Sequence, residues 1–185
     1  MSTLLSIAKR NAVLSRMATL LEEERANLKA INKQDLDNYS GADLAMEKRL
    51  LVDDAKIDGM ILSMQQLASQ EDPIGVMIIY ESRPDVTVEA GGIAFKSGNK
   101  ILLKGGKESL LSNLKIVALW HQALKKNEIS EDWVEYLNFN RSETQAFLEK
   151  PTQRVDLIVP RGGEQLIAFV KQHATCPVIV SGRGN

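Results

Sequence analysis

Near Pro73 the hydrophobic rhythm of the chain changes. Before it, apolar residues recur at helical spacing. Leu4, Ile7, Ala8, Val13, Leu14, Met17, Leu20, Leu21, Leu28 and Ile31 form one side, with Glu22, Glu23, Glu24 and Arg25 on the other. Asn38-Tyr39-Ser40-Gly41 reads as a loop. A short helix is expected over 43–51. Another begins at Asp53 or Asp54, with Ile57, Met60, Ile61, Met64 and Leu67 on one face as core filling.

After Pro73, short apolar runs alternate with helical segments. The runs are residues 76–80, 101–103, 133–139, 155–159 and 178–180. Helices are expected over 86–96, 108–126, 142–149 and 164–173, the third starting at a capping box from Ser142. Strands that are apolar throughout and alternate with helices specify a parallel sheet covered on both faces. The fold class is therefore α/β: a doubly wound, mostly parallel sheet of about five strands with an N-terminal helical layer. Residues 1–73 are assigned to the layer and 74–185 to the sheet domain, together one compact unit.

Composition limits the function classes. The 185 residues carry 23 Lys and Arg against 24 Asp and Glu, so a general polyanion binder such as a nucleic-acid coat is not expected. Any anion binding must come from local placement of charge. Cys176 is the only cysteine, which fits a reducing cytoplasm and excludes an intrachain disulfide. With two histidines besides, no Cys/His zinc site is expected. The N-terminus does not read as a signal peptide, and no apolar run approaches the roughly 20 residues of a membrane span. A cytoplasmic protein without membrane or nucleic-acid partners is expected.

In open parallel sheets, ligands bind beyond the carboxyl ends of the strands. Four such ends are rich in Gly, Pro, Ser and cations: Tyr80-Glu81-Ser82-Arg83-Pro84, Lys104-Gly105-Gly106-Lys107-Glu108-Ser109, Pro160-Arg161-Gly162-Gly163 and Ser181-Gly182-Arg183-Gly184. At the second, glycines admit a ligand close to the backbone, and the following helix is expected to offer unpaired N–H groups. Lys104 and Lys107 add cationic donors, so a phosphate or ribose phosphate suits this end. A glycine turn with two solvated lysines is the alternative. Four such ends on one edge favour a nucleotide or another anionic ligand.

Two familiar phosphate motifs are missing. Ile101 and Leu102 stand where a P-loop needs glycine, and Glu108 replaces its Ser/Thr. No G-x-G-x-x-G follows the first strand, so a standard dinucleotide fold is disfavoured. His121 reads as a helix-surface or partly packed residue, His173 as a helix-end charge, and Glu81 as a helix-entry or salt-bridge group. Cys176, at the amino end of the last strand and opposite the ligand edge, reads as a packed small hydrophobe.

The run from Ile78 to Val86, then Ser97-Gly98-Asn99, the run from Leu103 to Ser109, and Val159-Pro160-Arg161-Gly162-Gly163 resemble gamma-glutamyl phosphate reductase, the glutamate-5-semialdehyde dehydrogenase of the aldehyde dehydrogenase superfamily. The resemblance is ordered and spans the chain from the first helix to Asn185. It implies a Rossmann-like cofactor domain that lacks the usual fingerprint. It also implies the oxidoreductase step of proline biosynthesis, the NADPH-dependent reduction of L-glutamyl 5-phosphate to glutamate 5-semialdehyde with phosphate release.

By this resemblance, Lys104 contacts the adenosine ribose. Gly105, Gly106, Lys107 and Glu108 surround the adenosine side, and the lysines suit a 2′-phosphate. Ser82, Arg83 and Pro84 line the path toward the nicotinamide. Pro160, Arg161, Gly162 and Gly163 form the glycine turn beside the pyrophosphate, and Ser181 and Gly182 approach the nicotinamide. Family members continue into a catalytic domain whose nucleophilic cysteine attacks the acyl phosphate. Cys176 does not match that motif, so this chain is expected to hold the cofactor-binding portion and to be inactive alone. Family members also carry a β-hairpin excursion that assists homo-oligomer formation. Here Asp72-Pro73-Ile74-Gly75 runs directly into Val76, and the excursion is absent. A non-catalytic nucleotide-binding or regulatory module is the alternative reading.

Overall fold

The computed structural model describes residues 6–41, 44–69 and 78–180. The rhythm change at Pro73 and the 72–75 segment lie outside them. Four helices come first: α1 (Ile7–Glu23), α2 (Arg25–Asp37), α3 (Leu44–Leu50) and α4 (Asp54–Ser69). The single helical stretch expected at the start is divided at Glu24, which leaves the helical region and pairs with Lys115 at 2.6 Å. The polar side of α1 and α2 is solvated. There Arg25 binds Glu22 and Asp58, each at 2.5 Å.

The second part alternates as expected: β1 (Ile78–Tyr80), α5 (Pro84–Lys96), β2 (Ile101–Leu103), α6 (Leu110–Lys126), β3 (Val134–Tyr136), α7 (Arg141–Glu149), β4 (Val159–Arg161) and α8 (Glu164–His173). One-turn 3₁₀ segments at Lys107–Ser109 and Glu131–Trp133 precede α6 and β3. The turn at Glu131–Trp133 shortens the third strand. The capping box of α7 starts at Asn140 rather than Ser142. Its side chain accepts from Glu143 N–H at 2.9 Å, and the Glu143 carboxylate accepts from Asn140 N–H at 2.7 Å.

All strand pairs are parallel. β1 pairs with β4 and β2 with β3, and a bridge between Ile79 and Lys104 joins the two pairs. Ile158 bridges Val178 on the far side, so the order is β3-β2-β1-β4 with Val178 outermost. The fourth strand lies later than the expected 155–159. Only 159–161 reach β1, while Ile158 serves the opposite neighbour. The fifth strand is reduced to that one bridge.

The pleat sorts the core by alternation. Tyr80, Ile101, Leu103 and Val134 face α5, α6 and the N-terminal layer, in one cluster with Leu14, Met17, Met64 and Trp120. Ile79, Leu102, Leu137 and Ile158 face the other way, against Phe147, Leu148 and Val170 of α7 and α8. No described helix is long and apolar enough to cross a membrane.

Candidate functional site

The chain runs from β1 outward to β3, then returns to the other side of β1 at β4. That reversal places a crevice beyond the carboxyl ends of β1 and β4, where open sheets bind ligands. A cleft of about 750 Å³ opens beyond the carboxyl ends of β1, β2 and β3, and Gln165, Leu166 and Phe169 of α8 reach it from the β4 side. Ile79 and Tyr80 form its floor, Lys104 to Glu108 one wall, and Asn138 to Arg141 with Leu166 and Phe169 the other.

The lysine wall is held from behind. Tyr80, 2 % exposed, donates its OH to Thr87 Oγ1 at 2.5 Å, because Thr87 Oγ1 donates onward to Asn113 Oδ1 at 2.8 Å. Burial pushes the Tyr80 phenol far above its usual range, so it stays a neutral donor. Asn113 Nδ2 donates to Ser109 Oγ at 2.9 Å and to Tyr136 OH at 3.3 Å. Gly105 packs directly on this network. A Cβ there would collide with Asn113 Nδ2 and stand 3.0 Å from Tyr136 OH. Lys104 Nζ donates to Gly105 O at 2.6 Å. Burial lowers the Lys104 pKa, partly offset by Glu108.

The helix N-termini correct one expectation. α6 does not offer free N–H groups. The buried Asp35 of α2 accepts from Leu111 N–H at 3.0 Å, and from Ser112 N–H and Oγ at 2.8 and 2.6 Å. Its charge is well placed on the positive end of the helix dipole. The positive charge of this wall therefore comes from Lys104 and Lys107. At α8, Gly163 N–H donates to Glu81 Oε2 at 3.0 Å, so Glu81 is a carboxylate resting on the glycine turn.

The expected site residues divide by place. Lys104, Gly105, Gly106, Lys107 and Glu108 line the cleft. Ser82 and Pro84 are buried at the end of β1, and Ser82 Oγ has no hydrogen-bond partner. A Cβ on Gly106 would stand 3.3 Å from Ser82 N and 3.7 Å from Ser82 Oγ, so this turn lies beside the lysine loop. Arg83 instead pairs with Asp85 at 2.8 Å. Pro160 is buried in β4 beside Ile79, while Arg161, Gly162 and Gly163 are exposed. Ser181 and Gly182 lie outside the described residues.

Sequence reasoning missed the wall made by Asn138, Phe139, Arg141, Leu166 and Phe169. The signal was present: Asn138-Phe139-Asn140-Arg141 follows the third strand and is as polar as the other ends. Arg141 lies over the Phe169 ring at 5.1 Å, and His173 packs against that ring at 4.8 Å. His173 also bonds Glu149 at 2.8 Å, so it is more than a helix-end charge. His121 is half-buried against Val134 O at 2.8 Å. Cys176 packs against the cluster under α7 and α8, and burial raises its thiol pKa.

No protein-family profile matches the chain. Individual relatives do. It is 37% identical over 205 residues to the gamma-glutamyl phosphate reductase of Aliarcobacter butzleri, covering 97% of this chain and 50% of that one. Over nearly its whole length the chain is similar to one half of a gamma-glutamyl phosphate reductase. It spans about half the length of the relatives it matches. The gamma-glutamyl phosphate reductase of Thermotoga maritima superposes with a TM-score of 0.91 at 34% identity, over 98% of this chain and 50% of that one. The glyceraldehyde-3-phosphate dehydrogenase GapN of Methanocaldococcus jannaschii, solved with NADP, gives a TM-score of 0.73 at 16% identity, covering 97% of this chain and 42% of that one. That likeness concerns the fold alone. The fold is the one gamma-glutamyl phosphate reductases share with aldehyde dehydrogenases.

Proposed function

We propose that this chain is the cofactor-binding portion of a gamma-glutamyl phosphate reductase and that its cleft takes NADPH. The complete enzyme would reduce L-glutamyl 5-phosphate to glutamate 5-semialdehyde and release phosphate. The observation that carries the reading is the lysine-lined cleft beyond the ends of β1 and β2, in a fold shared with a gamma-glutamyl phosphate reductase at 34% identity.

The residues present suit the cofactor. Lys104 and Lys107 supply positive charge for a ribose 2′-phosphate, and Gly105 and Gly106 keep the backbone open to it. Glu108 can accept from ribose hydroxyls. Phe169 and Leu166 offer an apolar wall for a flat base. Gly162 and Gly163, with Pro160 and Arg161 beside them, would meet the pyrophosphate. Ser82, Arg83, Pro84, Ser181 and Gly182 are assigned to the nicotinamide end.

When bound, NADPH supplies the hydride. This chain's residues hold and orient the cofactor. Cys176, with its raised pKa, is not proposed as the nucleophile, so cofactor binding without turnover is expected of the chain alone. Titration calorimetry with NADPH and NADH, with Lys104→Ala as control, tests the reading. Saturable NADPH binding, tighter than NADH and weakened by the substitution, is expected. No saturable binding at millimolar NADPH would end it. Equal affinity for the two cofactors would remove the 2′-phosphate role of the lysines.

A further inference from the structure

The lysines of the fold divide by what holds their amines. Lys29, Lys100 and Lys115 pair with the carboxylates of Asp54, Asp132 and Glu24. Lys96 is fully buried, with its Nζ on Asn11 Oδ1 at 2.6 Å. Lys104 and Lys56 are half-buried, and each sets its amine on a backbone carbonyl. Lys104 donates to Gly105 O at 2.6 Å and Lys56 to Arg49 O at 2.8 Å. Burial lowers both pKa values. Of these two, Lys104 lines the cleft and Lys56 does not.

A half-buried lysine on the wall of a cavity has the attributes of a nucleophile. Desolvation raises the fraction present as free amine, the form that attacks a carbonyl. The bond to Gly105 O orients Nζ and uses one N–H, so in the neutral amine the lone pair stays open. Ile79, Phe139, Leu166 and Phe169 give the same cleft apolar surface. Lys107, three residues on in the same wall, is exposed and supplies a cation for a phosphate. Arg141 adds charge from the other wall, where Phe169 tethers it at 5.1 Å.

We propose that Lys104 is a covalent trap for phosphorylated aldehydes: Lys107 holds the phosphate while Lys104 Nζ forms a reversible imine with the aldehyde carbon. The amine lone pair attacks that carbon, a C–N bond forms, and an amine proton passes to the carbonyl oxygen. The carbinolamine then loses water and leaves C=N. Nothing is oxidised or reduced. The proposal rests on the reading of the cleft as a site for phosphate-bearing ligands. It adds a second ligand class that competes there with the cofactor through a covalent bond. Lys56 isolates the part played by the cavity, since it shares the burial and the carbonyl contact but has no phosphate anchor in the cleft.

The test uses pyridoxal 5′-phosphate as the probe and pyridoxal as its phosphate-free control. Each is titrated into the wild-type chain and the imine is reduced with borohydride. Peptide mass spectrometry then locates the modified lysines. We expect Lys104 to be labelled at about tenfold lower pyridoxal 5′-phosphate concentration than Lys56 or Lys107, because the anchored phosphate raises the local aldehyde concentration. The preference should vanish with pyridoxal and in Lys107→Ala. Lys104→Arg should lose the high-affinity imine absorbance while melting as wild type does. Labelling of Lys104 at the same concentration as Lys56 overturns the proposal. So does an equal preference for Lys104 with pyridoxal, which would leave burial alone as the cause. If Lys104→Arg does not fold, the wild-type labelling pattern decides by the same criteria. NADPH is titrated in parallel. Selective labelling with no NADPH binding removes the dinucleotide reading and leaves the covalent site in place. NADPH binding without selective labelling does the reverse.

Discussion

Asp35 of α2 closes the N-terminus of α6 by accepting from Ser112 N–H at 2.8 Å, across 77 residues of sequence. The helix cap, usually local, is here a tertiary contact that ties the N-terminal layer to the sheet domain. Replacing Asp35 with Ala leaves buried donors unpaired. The expected loss is about 2–4 kcal/mol, and less for Asn, which keeps one acceptor. Urea denaturation measures it. A loss below about 0.5 kcal/mol would show that water replaces the carboxylate.

Two glycines should respond in opposite directions to alanine. Gly105→Ala drives a methyl into Asn113 and should destabilise by about 1–3 kcal/mol while weakening NADPH binding. Gly59 lies inside α4 with nothing within 4 Å of an added Cβ. Gly59→Ala should stabilise by roughly 0.5–1 kcal/mol through helix propensity. Thermal melts of the two variants compare them directly. Equal shifts would contradict the packing described around Gly105.

Burial lowers the Lys104 pKa, so its charge is lost at a lower pH than an ordinary lysine's. The cationic form is fully present below that pKa and disappears as pH rises through it. NADPH affinity should therefore fall on the alkaline side earlier than ordinary lysine titration allows. Lys104→Arg, which keeps its charge, should flatten that limb. Calorimetry from pH 7 to about 10.5, the unperturbed lysine range, gives the profile. An alkaline limb unchanged in Lys104→Arg would assign the titration elsewhere.

Phe169 stands between Arg141 and His173 and forms part of the cleft wall. Phe169→Ala should weaken binding of an adenine nucleotide about tenfold, as loss of a base-stacking surface does. Nicotinamide mononucleotide, which lacks the adenine, should be unaffected. Fluorescence titration with both ligands separates the two ends of the site. Equal losses would place Phe169 away from the base.

The alternation of elements was legible because each apolar run is bounded by glycine, proline or charge. β2 falls where expected, at Ile101–Leu103. Boundaries that depend on neighbours were not legible. The start of α7 shifted to Asn140 because two side chains had to reach reciprocal backbone groups. β4 moved toward Arg161 because its two neighbours are staggered. At the site, Lys104 and its glycines announced themselves through composition. The occupation of α6 by Asp35 and of α8 by Glu81 could not be read, since each joins residues 76 or more apart. Local sequence shows a helix start and does not show what fills it.

The crossover at β1 also has a consequence for how the cleft comes into being. Glu81 and Gly163 are 82 residues apart, whereas Thr87 and Asn113, behind the lysine loop, are 26 apart. Closing the longer loop costs roughly 1 kcal/mol more in chain entropy, at about 0.6 kcal/mol per doubling. The lysine wall can therefore be assembled from near neighbours, while the glycine turn waits for β4 to dock. No shorter fragment ending before β4 can carry both walls. The cleft is a property of the whole β1-to-α8 segment and cannot be inherited in parts.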